Sequence, residues 1–169
     1  MTTVLLATLS IHFGLGFSAV HTPDQEVGTR AASYPRGLGL SLEAQAEAGS
    51  FYAAGTVLFA PMGSGTELAS ASARIGLFVL PTAISPYLAV GAGWLRQSLP
   101  DGDLPPNLLA ADGAALIGEV GVAGLRDRDI GRVTAYVQIQ QPLFDAPPDP
   151  LHSPPATKLV FLAGLRVFF

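Results

Sequence analysis

The sequence predicts an all-β chain folded as an eight-stranded antiparallel up-and-down transmembrane β-barrel, and three observations carry that prediction. Stretches in which apolar residues alternate with polar or small ones recur eight times along the chain. A period of two is the signature of a strand with two unlike faces. Hydrophobic residues make up 49% of the 169 positions and charged residues only 13%, whereas about a quarter of a water-soluble domain is charged. Yet no run of ~18 uninterrupted apolar residues occurs, so the apolar content is not gathered into a membrane helix. Spreading it over alternate positions is what a membrane-spanning barrel requires.

Each strand follows from its own parity. The first, 5–20, sets Leu9, Ile11, Phe13, Leu15, Phe17 and Ala19 against Ser10, His12, Gly14, Gly16 and Ser18. Residues 1–20 are apolar enough for an export signal. They lack a basic start and a small-residue cleavage pattern, so a strand is expected, with any export signal removed or upstream. The second, 37–48, sets Leu38, Leu40, Leu42, Ala44 and Ala46 against Gly39, Ser41, Glu43, Gln45 and Glu47. Its second half, Leu-Glu-Ala-Gln-Ala-Glu-Ala, has strong helix propensity, but the alternation outweighs it. The third, 51–60, has the weakest parity. The fourth, 68–80, sets Ala69, Ala71, Ala73, Ile75, Leu77 and Val79 against Ser70, Ser72, Arg74 and Gly76.

The fifth strand, 87–97, puts Leu88, Val90, Ala92 and Trp94 on one face and Ala89, Gly91 and Gly93 on the other. The sixth, 111–125, is rich in Ala and Gly and carries Glu119. The seventh, 132–140, sets Val133, Ala135, Val137 and Ile139 against Thr134, Tyr136, Gln138 and Gln140. The eighth, 158–169, has Leu159, Phe161, Ala163, Leu165, Val167 and Phe169 on one face, and Lys158 and Arg166 on the other. All eight belong to one domain, 1–169. Connections after the second, fourth and sixth strands are brief. Those after the first, third, fifth and seventh are expected to be mostly longer, rich in Pro, Gly and Asp.

The apolar face has no charge in the middle of any strand. A charge at a bilayer midplane costs ~2–4 kcal/mol, so this face is expected to meet lipid. Phe17, Phe59, Trp94 and Phe144 are expected at one membrane interface and Phe51, Phe78, Tyr87 and Phe169 at the other. The opposite face gathers Glu43, Glu47 and Glu119 with Arg74, Arg132, Lys158, Arg166 and His12. An eight-stranded barrel is only wide enough for its interior to fill with side chains. These groups are therefore expected to pair as a lumen charge network, because an unpartnered buried charge is costly.

Other chemistries find little footing. A net charge of −4 without a basic patch argues against nucleic acid. With no cysteine and three scattered histidines, no metal site or cofactor is expected. Ser10 and His12 share a face with Glu43 and Glu47, the residue types of acyl transfer. That face points inward while a lipid substrate approaches from outside, so no enzyme is expected.

With its strand count, loop asymmetry and last strand, the whole chain resembles the small eight-stranded outer-membrane β-barrels of Gram-negative bacteria, the OmpA-like and OmpX-like proteins. Two segments carry most of the likeness: Phe161, Leu165, Val167 and Phe169 at the end, and Ser85-Pro86-Tyr87-Leu88-Ala89-Val90-Gly91-Ala92-Gly93. The resemblance implies location in the bacterial outer membrane. It implies that Phe161, Leu165, Val167 and Phe169 form the signal read by the outer-membrane assembly machinery. Membrane lipids and lipopolysaccharide are the other expected partners, with Arg96 placed to reach a lipid phosphate, and a monomer is expected. The expected role is structural or surface-interacting, through long extracellular loops on a barrel with a filled polar lumen. A narrow channel is the alternative. A soluble lipocalin-like binder would leave a water-facing surface of Gly, Ser, Ala and Thr, poor in charge.

Overall fold

The computed structural model describes residues 9–22, 26–27, 30–31, 36–62, 67–98, 110–127, 131–144 and 159–169. These hold ten strands: β1 Leu9–His21, β2 Glu26–Val27, β3 Arg30–Ala31, β4 Arg36–Ala48, β5 Phe51–Pro61, β6 Glu67–Phe78, β7 Ser85–Ser98, β8 Ala110–Gly124, β9 Arg132–Pro142 and β10 Val160–Phe168. Eight of them close into one barrel in the order β1-β10-β9-β8-β7-β6-β5-β4, every neighbour antiparallel. The short β2 and β3 form a separate ribbon between β1 and β4. Strands of two residues are too short to leave a periodic trace, and neither was foreseen.

Closure runs through β1. It pairs with β4 from Leu9↔Ala48 to His21↔Arg36 and with β10 from Gly14↔Phe168 to His21↔Phe161. The helix-prone 42–48 is strand, because β4 is held by ladders on both sides. The fourth predicted strand stops at Phe78 rather than at 80. Beyond it the chain turns, with Val79 N donating to Pro86 O at 2.9 Å and Leu80 N to Ser85 Oγ at 3.0 Å. Lys158 and the predicted start of the first strand, 5–8, lie outside the described residues.

Three tight connections, 49–50, 79–84 and 125–131, gather at one end of the barrel, which we call the turn end. Gly49 there adopts φ +65, a left-handed conformation that glycine takes without steric cost. The strand ends at the opposite end, the loop end, border the connections 22–35, 62–66, 99–109 and 143–159. The 62–66 link is as brief as a turn, so three of these four connections are long, not all four.

Burial is inverted relative to a soluble protein. Phe13, Phe17, Leu42, Ile75 and Val120 are each 60% or more exposed, while Arg74, Glu119 and Arg166 are 2% exposed. Charged groups are almost never buried unless paired, so the interior has to supply their partners. Among the barrel-strand residues whose burial is described, outward charges occur only at the loop-end edge, at Arg36, Glu67, Arg96 and Asp112.

Candidate functional site

The interior is stratified along the barrel axis, and the strand register places each layer. At the turn end three rings pack together: Tyr52 lies 5.0 Å from Phe78 and 5.8 Å from Tyr87, centroid to centroid, and Phe78 lies 5.9 Å from Tyr87. The tyrosines find room because each sits directly across from a glycine, Tyr52 from Gly76 and Tyr87 from Gly121. A Cβ on Gly76 would come within 2.3 Å of the Tyr52 ring. Beside these rings Glu47 meets Arg132 at 2.6 Å and Arg126 at 3.6 Å, and accepts a hydrogen bond from Gln45 Nε2 at 2.6 Å. The Arg126 guanidinium stacks 3.7 Å above Phe78. Burial pushes its pKa below the usual arginine range, and Glu47 opposes that shift.

The middle layer is a four-membered ionic cluster of Glu43 on β4, Arg74 on β6, Glu119 on β8 and Arg166 on β10. Arg166 grips Glu119 with both terminal nitrogens at 2.7 Å, the bidentate geometry that makes guanidinium–carboxylate pairs strong. Arg74 donates to Glu119 through Nη1 and to Glu43 through Nη2. Thr56 Oγ1 accepts from Arg74 Nη2 at 2.7 Å and donates to Glu43 Oε2 at 2.9 Å. Tyr87 Oη donates to Glu119 Oε1 at 2.8 Å, and the Arg166 guanidinium lies 3.5 Å over the Tyr136 ring. With two carboxylates and two guanidiniums the cluster is neutral.

Towards the loop end follow hydroxyls and amides: Ser41, Ser70, Gln138 and Gln140, all buried. The last layer is mainly apolar, with Thr22 and Gln97 buried among its side chains. Val20, Ala60, Leu68, Leu95, Val160 and Leu162 are 0–2% exposed, and half-buried Phe144 packs against them. A filled polar lumen therefore describes only part of the interior.

Several expected residues come together and others do not. Glu43, Arg74, Glu119 and Arg166 form one cluster, whereas Glu47 and Arg132 form a second, with Arg126 from a turn. His12 faces inward with Nε2 3.1 Å from Ser10 Oγ, and Glu47 is the cross-strand partner of Ser10. Tyr87 was expected at the lipid interface and is instead inside, 4% exposed. Phe78 is likewise inside, and Phe144 turns to the interior. The signal was present: Tyr87 shares its parity with Ala89, Gly91 and Gly93. Tyr52 and Thr56 sit on the strand with the weakest alternation and gave no such sign.

Trp94 and Phe59 do face outward near the loop end, at 53% and 48% exposure. Phe17 faces outward but lies between Leu40 and Leu165, inside the apolar band rather than at its edge. Leu165, Val167 and Phe169 are outward and exposed, Phe161 outward and half-buried. Arg96 is outward and directly opposite Asp112. Among the described residues no group of three or more His, Cys, Asp or Glu is placed to hold a metal ion.

Solved structures share this architecture. Neisserial surface protein A (NspA) superposes with a TM-score of 0.68 at 13% identity, over 96% of this chain and 99% of that one. The fold is that of the small outer-membrane barrels. The attachment invasion locus protein Ail of Yersinia pestis, solved with the heparin analogue sucrose octasulfate, gives 0.52 at 12% identity, covering 94% and 97%. The outer membrane protein OprG from Pseudomonas aeruginosa gives 0.50 at 13% identity, covering 96% of each chain. No protein-family model matches the sequence, and no curated protein does.

Proposed function

We propose that this chain is a monomeric, non-catalytic integral protein of the bacterial outer membrane, a closed scaffold whose long connections at the loop end meet partners at the cell surface. The observation that carries the reading is the inverted burial: large apolar side chains outward over the whole strand length, and every inward charge of the described interior within a paired cluster. Oil outside and ions within is the arrangement a bilayer demands of a barrel. The loop end is then extracellular, the tight turns are periplasmic, and the outward Leu165, Val167 and Phe169 present the assembly signal. Arg36 and Arg96, at the loop-end edge of the apolar band, are among the described side chains the ones placed to reach lipopolysaccharide phosphates.

The closed interior argues against a channel. Fully buried Leu68, Leu95, Val160 and Leu162 pack the loop end, and the ionic cluster lies in the section beneath them. Reconstitution into liposomes tests both parts of the proposal. Added protease is expected to cut 99–109 and 143–159 while the strands survive, and planar bilayers are expected to stay silent. Steady single-channel currents would replace the scaffold reading with the channel, and a protein monodisperse without detergent would remove the membrane.

A further inference from the structure

Between the ionic cluster and the apolar layer lies a cavity of about 10 Å³. It is lined on one side by Ser41, Thr56, Ser70 and Ser72 and on the other by Gln138, Gln140 and Arg166, with Leu58 and Leu162 as its apolar wall. Three polar atoms of this lining are buried without a hydrogen bond: Ser41 Oγ, Gln140 Oε1 and Arg166 Nε. Their residues are 5%, 2% and 2% exposed. Arg166 Nε lies 3.0 Å from Glu43 Oε2, but its N–H is not aimed along that line. Burying a polar group without a partner costs roughly 1–3 kcal/mol, so three around one cavity mark a place where something completes the hydrogen bonding.

We propose that this chamber is a binding site for a single buried water molecule, sealed from both ends of the barrel. The size fits one, since a cavity needs roughly 10–15 Å³ to hold a water. The chemistry fits as well: a hydroxyl, an amide oxygen and a guanidinium N–H offer the two to four polar contacts a buried water takes. Leu68, Leu95 and Val160, each 0% exposed, lie in the layer on the loop-end side, and Arg166, which lines the cavity, belongs to the ionic cluster on the turn-end side. The water is thus an isolated structural component and not one link of a file through the lumen.

Methyl-labelled protein refolded in micelles tests the site, because methyl hydrogens do not exchange with solvent. Cross-relaxation with long-lived water is expected at the Leu58 and Leu162 methyls and at neither Leu68 nor Leu95. Ser70→Val, which fills the chamber and removes a hydroxyl, is expected to abolish the signal while the barrel still folds. Silence at Leu58 and Leu162 in the unaltered protein overturns the site. So does a signal extending to Leu68 and Leu95, which would mean continuous water, and so does a signal unchanged in Ser70→Val. Should Ser70→Val not fold, the contrast between the two leucine pairs in the unaltered protein decides alone. The proposal deepens the closed-lumen reading and is separable from it: bilayer currents overturn both, whereas a dry chamber in a silent barrel overturns only the water.

Discussion

The middle and the loop end of this lumen bury side chains equally well by opposite means. Glu43, Arg74, Glu119 and Arg166 are as buried as Leu68, Leu95 and Leu162. The first group stays inside because every charge has an opposite within reach, the second because it has nothing to lose by leaving water. The two regions should therefore respond differently to damage. Removing one partner of an ionic cluster strands the others, while trimming a leucine leaves only a hole.

The largest expected effect tests that asymmetry. Glu119→Ala removes the acceptor shared by Arg74, Arg166 and Tyr87 and is expected to cost about 3–5 kcal/mol. Urea unfolding in micelles, followed by the fluorescence of Trp94, the single tryptophan, reads it. Leu95→Ala in the apolar layer is expected to cost about 3 kcal/mol in the same assay. A loss clearly larger than that of Glu119→Ala would reverse the ranking of the two regions. Replacing the cluster as a unit sharpens the point. Glu43→Leu, Arg74→Met, Glu119→Leu and Arg166→Met together are expected to leave stability unchanged or raise it by about 2 kcal/mol, because no charge is left alone. A quadruple variant weaker than Glu119→Ala would show that the ions themselves hold the barrel. The smallest effect belongs to the aromatic layer: Gly76→Ala drives a methyl into the Tyr52 ring and is expected to cost about 1 kcal/mol, recovered when Tyr52→Leu clears the space.

How far the sequence carries a reader follows the same division. Which side of the sheet a residue faces was legible nearly everywhere, because an apolar outer surface on one side and a packed lumen on the other impose a strict period of two. β1, β4, β9 and β10 bear this out residue by residue. What happens inside was less legible. Parity places Val160 and Leu162 beside Arg166 but is silent on their lying in different layers, which only the stagger between strands decides. Tyr87 was misread because an aromatic near a strand end suggests an interface, and the glycine across from it, which makes room inside, is visible only in the register. Arg126 joins Glu47 from a turn, where no periodicity exists to place it. The gap between Ser41 and Gln140 joins β4 to β9 across the barrel, a distance in sequence that no local pattern spans.

The four charged residues of the middle layer sit on every second strand, β4, β6, β8 and β10, so they act as spokes across the hoop rather than rungs along its wall. The last spoke arrives late. A chain assembled only through β9 holds Glu43, Glu119 and Arg74 with one negative charge unanswered, and only Arg166, near the end of the final strand, balances it. Docking β10 in its native register both closes the wall and neutralises the hub, while a slip by one residue would turn Arg166 out onto the apolar outer face and leave the hub charged.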